Sequence, residues 1–244
     1  MLKISNAANF RRTLGGLCLI VAPVLQVVDE KISPGNNSTW SASGELETVT
    51  RQNGLFVESA YLGILAGILF IPALLAILHV VRGRGVVLAH VGVGLTLVGI
   101  VLFMFVSQGA NLMVSVMGMP GLDPTAMTAL LQHALGGTSA VTSAWLGLFL
   151  EIPGLLLVGL AVWRSGFGYR WAGPLIVLWI LADTFNPFHS EVVGYLIAAM
   201  GVVGLGAIGL RILTMPGSAW DSAPSPANHP APVQVPHAEP VVGS

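Results

Sequence analysis

Charge is what this chain has least of. Of its 244 residues, 9% are Asp, Glu, Lys or Arg and 54% are hydrophobic, with a mean hydropathy of +0.81; an ordinary soluble domain carries about 25% charged residues. So small a polar complement cannot coat a water-soluble fold. The formal net charge is -1 and the Lys and Arg are scattered, so no basic stripe is available to neutralise phosphates, which disfavours nucleic-acid binding. Cysteine is nearly missing too: Cys18 stands alone in an apolar run. It forms no intramolecular disulfide and is read as a small hydrophobe in helix packing.

Catalytic signatures are also lacking. The sequence has no Gly-x-Ser-x-Gly elbow and no His-Glu-x-x-His metal box, and Cys18 has no basic neighbour on its helix. The Gly92-Val93-Gly94 stretch is no phosphate loop, because no strand precedes it and the residues after it are apolar. Neither a cofactor nor a metal is expected.

What the chain does have is long apolar runs: 14–28, 55–81, 86–107, 139–163, 171–185 and 191–213. Most approach the roughly 20 residues that cross about 30 Å of hydrocarbon, with 171–185 at the short end. The expected fold is therefore an all-α integral membrane bundle of six transmembrane helices, occupying 1–214. Lys3, Arg11 and Arg12 before the first run, with Ser41-Ala42-Ser43 beyond it, also fit a secretory signal peptide. The small-residue site lies far past the apolar run, which favours a retained helix. The tight turn Arg82-Gly83-Arg84-Gly85 makes the second and third spans antiparallel neighbours. After the break at Pro120-Gly121, Asp123 caps a helix with Pro124 at its first position, and Met127, Leu130, Leu131 and Ala134 recur at helical spacing. An outer interfacial helix near 124–135 follows. From Met215 onward seven prolines mix with Ser, Ala, His and Asn, so 215–244 is expected to be a disordered cytoplasmic tail.

Orientation comes from counting cations. With the amino terminus inside, Lys3, Arg11, Arg12, Arg82, Arg84, Arg164, Arg170 and Arg211 fall on the cytoplasmic side, against Lys31 and Arg51 outside. That bias predicts a membrane protein with both termini cytoplasmic. The polar stretch 29–54 becomes an outer loop; its Asn37-Ser38-Thr39 sequon is read as a chance match. Small residues such as Gly63, Gly67, Gly92 and Gly99 suit close helix contacts.

Ionisable residues within the spans are the best functional pointers, since one at the midplane costs roughly 2.5 to 3.5 kcal/mol even on insertion scales. Glu151 lies halfway along the fourth span, two residues before Pro153. No Lys or Arg has comparable depth, so the carboxyl is expected to be neutral or hydrogen-bonded to groups such as Thr96 or the Trp179 indole. It serves either as a proton acceptor or ligand counter-charge, or as a pin between helices. Glu58 and Tyr61 share one side of the second helix, as Gln108 and Asn111 do on the third; Asp183 ends the fifth. Asn186, His189, Glu191 and Tyr195 surround the last outer turn. Convergence of these faces would build a ligand-binding polar cavity from Glu58, Tyr61, Gln108, Asn111, Glu151, Trp179, Asp183 and Tyr195. Ser190 and Glu191 equally make an ordinary helix start, and Asn186-Pro187 a turn. His79 and His90 flank the basic turn at similar depth, but a second axial pair for haem is missing, and His133, His229 and His237 fall into no metal spacing.

The order of elements resembles uncharacterised multi-pass membrane proteins abundant in actinobacteria, of a domain-of-unknown-function type. The resemblance covers about 14–213: an acidic, Pro-containing segment (29–34) after the first span, the Arg82–Gly85 turn, the segment 123–135, and Ala161-Val162-Trp163-Arg164. It implies the helix count and a bacterial plasma membrane, with no activity to transfer. Three functions are open: binding or moving a small amphiphilic or cationic molecule through an outward cavity; an intramembrane enzyme on a lipophilic isoprenoid or lipid substrate, with Glu151, Glu58 and Asp183 as catalytic candidates; and an accessory subunit with a membrane-protein partner. The lipid bilayer is a partner in all three.

Overall fold

A computed structural model describes residues 7–34, 41–136, 138–185 and 190–221, and among these it is all helix. The elements are α1 (Ala7–Ile32), α2 (Ala42–Val80), α3 (Val86–Ile100), a π-helical turn (Val101–Phe105), α4 (Val106–Met117), α5 (Pro124–Gly136), α6 (Thr138–Ser165), α7 (Ala172–Thr184), α8 (Glu191–Thr214) and α9 (Gly217–Asp221). Five stretches are long and apolar enough to cross a membrane: α1, α2, the unit Gly83–Met117, Thr142–Ser165 and α8. The fifth apolar run forms α7, whose 13 residues fall short of that length.

The spans are apolar on both faces. Along α2, Phe56, Ser59, Ala60, Gly63, Gly67, Phe70, Leu74 and Ile77 are buried at helical spacing. Leu65, Ile68 and Leu75 point outward and stay exposed. A water-facing helix would be polar there; an oily one suits lipid. Packing runs in a closed circuit: α1 on α2, α2 on α3 and α4, α3 on α6, α6 on α7, α7 on α8, and α8 back on α1.

Charge separates the two ends. At one end Arg12 Nη1 donates to the Met215 carbonyl at 2.7 Å, and Arg82 Nη2 donates to that of Trp220 at 3.2 Å. At the other end Lys31 sits beside Glu30, 2.8 Å away, and 5.0 Å above the Tyr195 ring.

Two boundaries differ from the sequence reading. The polar stretch 29–54 is mostly helical: α1 runs on to Ile32, and α2 begins at Ala42, where the Ser41 side chain accepts from Gly44 N at 3.1 Å. Ala42, Leu46 and Val49 are buried with Phe56, Val114, Met117 and Leu131 in a small second core, and non-helical backbone at Gln52 kinks α2 below this segment. Helix α5 begins as expected, with Asp123 Oδ1 accepting from Thr125 N at 2.9 Å. The composition break at Met215 is not the end of packing. Trp220 of α9 is 5% exposed, its ring 4.1 Å from that of His79. The sequon, Asn186, His189, His229 and His237 lie outside the described residues.

Candidate functional site

The circuit of helices encloses a cavity of about 800 Å³ toward the acidic end, within the range typical of small-molecule sites. Its walls come from α1, α2, the π-helical turn with α4, α6 and α7. Five carboxyl residues line it: Asp29, Glu30, Glu45, Glu151 and Asp183. No Lys, Arg or His is among its lining residues within the described part of the chain. Between the acids stand Phe56, Phe103, Trp145, Phe149 and Trp179.

Glu151 lies near the deep end of the α6 wall and is only 8% exposed. Its place follows from Gly99: a Cβ there would stand 2.6 Å from Glu151 N, so α3 and α6 meet at backbone distance only because that side chain is missing. Glu151 Oε2 is buried and has no hydrogen-bond partner among the described residues. The two expected partners are engaged elsewhere. Thr96 Oγ1 donates to the Gly92 carbonyl at 2.8 Å, and the Trp179 indole lies against Gly201 of α8. A buried polar oxygen without a partner is costly and rare in a folded protein.

Beside the deep acid the third span changes its winding. Residues Val101–Phe105 form a π-helical turn, a feature that concentrates at functional sites, and Phe103 and Met104 of this turn line the cavity. One turn on, Gln108 Nε2 donates to Asp29 Oδ2 at 2.8 Å, and Asn111 Nδ2 donates to Gln108 Oε1 at 3.1 Å. Asp29 is thereby held while 8% exposed. Glu30 is partnered by Lys31.

Of the residues singled out from sequence, Gln108, Asn111, Glu151, Trp179 and Asp183 share this cavity, whereas Glu58, Tyr61 and Tyr195 are not among its lining residues. Glu58 and Tyr61 do share a side of α2, but it is the exposed one; Tyr61 is 61% exposed. Tyr195 carries Lys31 over its ring instead. Asp29, Glu30 and Glu45 were missed because 29–54 reads as loop. The signals for them were the spacing of Ala42, Leu46 and Val49 behind Ser41, and the position of Asp29 one turn after Leu25.

The histidines are occupied singly: His79 Nε2 lies 2.9 Å from the Trp220 carbonyl and His90 Nδ1 2.8 Å from that of Val86. No group of three or more His, Cys, Asp or Glu suited to a metal occurs among the described residues. No family model matches the chain, and no curated protein or solved structure matches it either.

Proposed function

We propose that this is a polytopic bacterial plasma-membrane protein that binds, and moves or presents, a small cationic amphiphile in the cavity between α1, α4, α6 and α7. One observation carries the reading: the oxygen of Glu151 that has no partner among the described residues, set deep in a cavity whose described lining holds five carboxyls, with Lys31 beside it engaged by Glu30. A ligand ammonium would supply the missing charge-assisted hydrogen bond, and the neighbouring aromatic faces suit a desolvated cation.

In this reading α7 completes a sixth crossing, supported by its packing between α6 and α8. The Arg-rich end faces the cytoplasm with both termini, consistent with the positive-inside bias, and α5 lies along the outer interface.

Equilibrium dialysis with octylammonium, a cationic amphiphile whose head carries N–H donors, on protein in lipid nanodiscs, tests the proposal. The Glu151→Gln protein is expected to bind at least tenfold more weakly than the parent at equal thermal stability. Equal binding by both proteins overturns it.

A further inference from the structure

The cavity has a side as well as a mouth. On α6 the side chains of Leu148, Glu151, Ile152 and Leu155 fall on one arc of the helix, while Trp145 and Phe149 are displaced from it by about a quarter turn. Both displaced residues line the cavity and yet are 56% and 69% exposed, with ring centroids 6.3 Å apart. They therefore stand at a place where the cavity reaches the outer surface of the bundle. Trp163, five turns further along than Trp145 and at the same angle about the axis, packs on Gly173 of α7, so Trp145 stands on the edge that α6 turns toward α7.

Helices α6 and α7 meet closely at the Arg164 end of the pair. A Cβ on Gly173 would stand 2.6 Å from the Gly159 carbonyl oxygen and 2.7 Å from Trp163 N, and one on Gly159 would stand 2.8 Å from Val177 Cγ2. That is backbone contact at the Arg164 end of the pair. Toward the acidic end, Phe149 and Glu151 of α6 and Ile180 and Asp183 of α7 all border the cavity. Pro153 lies inside α6 within the stretch that lines the cavity, where its missing N–H removes a helix hydrogen bond.

We infer that this seam between α6 and α7 is a lateral portal to the bilayer, and that the ligand is a single-chain alkylammonium amphiphile. Its head group sits between Glu151 and Asp183 and its alkyl chain leaves past Phe149 and Ile180. The inference rests on the cationic-ligand reading above and adds a route and a tail. Charge complementarity selects the head: the described lining supplies five carboxyls, and Lys31, engaged with Glu30, leaves Glu151 without a cationic partner among the described residues. Exposed aromatic rings on a lipid-facing helix select the chain, because an apolar tail between them stays in hydrocarbon throughout.

The test uses the whole protein in nanodiscs with dodecylammonium carrying a diazirine on its chain, and methylammonium as the tailless competitor. Photolysis is expected to label α6 near Trp145–Phe149 and α7 near Ile180, and the labelling should fall at least fivefold in Glu151→Gln. Dodecylammonium should bind at least tenfold more tightly than methylammonium, and Trp145→Ala with Phe149→Ala should remove most of that advantage. Binding that is sensitive to Glu151→Gln but equal for the two ammonium ions, or labelling confined to α1, overturns the portal and leaves the cavity reading standing. Binding of both ions unchanged by Glu151→Gln overturns the portal and the cavity reading together.

Discussion

Gln108 donates to Asp29 across 2.8 Å and ties the last turn of α1 to the start of α4. Gly63 of α2 makes the pairing possible, since a Cβ there would collide with Gln108 Nε2 and stand 2.6 Å from Asp29 Oδ2. Losing one member strands a buried polar group at about 1 to 3 kcal/mol. Gln108→Ala and Gly63→Ala are each expected to destabilise by that order, and Asp29→Asn by less, because the amide oxygen still accepts. Denaturant titration in micelles checks the ranking; an equal loss from Asp29→Asn and Gln108→Ala would contradict it.

The α3–α6 contact at Glu151 gives a second prediction, with an internal control. Gly99 faces Glu151 N at backbone distance, whereas a Cβ on Gly94 of the same helix meets nothing within 4 Å. Gly99→Ala should therefore overpack the interface and cost about 1 to 3 kcal/mol. Gly94→Ala should be neutral or stabilising by up to about 1 kcal/mol through helix propensity. Thermal unfolding of the two variants side by side decides the matter, and similar losses from both would refute the close approach.

Removing one residue from the π-helical turn tests the turn itself. Such a turn is an α-helix with one residue inserted, so deleting Phe103 is expected to restore α-winding while Gln108 and Asn111 keep their faces. Helix content by circular dichroism should be preserved. Octylammonium binding should fall at least tenfold, because the cavity loses an aromatic wall and its widening. Unchanged binding would detach the turn from the site.

The spans were legible because their signal is redundant: a run apolar on every face can lose or gain a residue without changing its meaning. Polarity misled at the ends. In 42–51 the buried set is only Ala42, Leu46 and Val49 among polar neighbours, a weak periodicity inside a stretch that composition alone assigns to a loop. The site was half legible for a related reason. Depth can be read by counting along a span, which found Glu151, but rotation about the helix axis depends on which residues face the neighbours. On α2 the buried stripe passes through Phe56, Ser59, Ala60 and Gly63, and Glu58 lies off it. Choosing by chemical type instead of by stripe brought in Glu58 and Tyr61 and passed over Asp29.

At the opposite end of the bundle, α9 is held by Trp220. Its ring lies tilted against that of His79, and its carbonyl accepts from Arg82. Burying a large apolar side chain contributes about 1.5 to 3 kcal/mol, so Trp220→Ala should raise the undocked fraction roughly ten- to a hundredfold. Limited proteolysis in 217–221 should accelerate by a similar factor while the spans remain resistant. An unchanged cleavage rate would show that the docking contributes nothing to protection.

The sense of insertion, finally, can be read from four single cysteines. Cys18 is buried, so the parent protein should be silent toward a membrane-impermeant maleimide. The proposed orientation puts Glu47→Cys and Glu191→Cys outside, reactive on intact cells, and Arg84→Cys and Arg170→Cys inside, reactive only after permeabilisation. Arg170 and Glu191 flank α7, which at about 1.5 Å per residue is shorter than the hydrocarbon it would cross. Opposite labelling of these two establishes α7 as a sixth span; labelling from the same side would make it a re-entrant element. Reactivity of Arg84→Cys on intact cells would invert the bundle and turn the carboxylate cavity toward the cytoplasm.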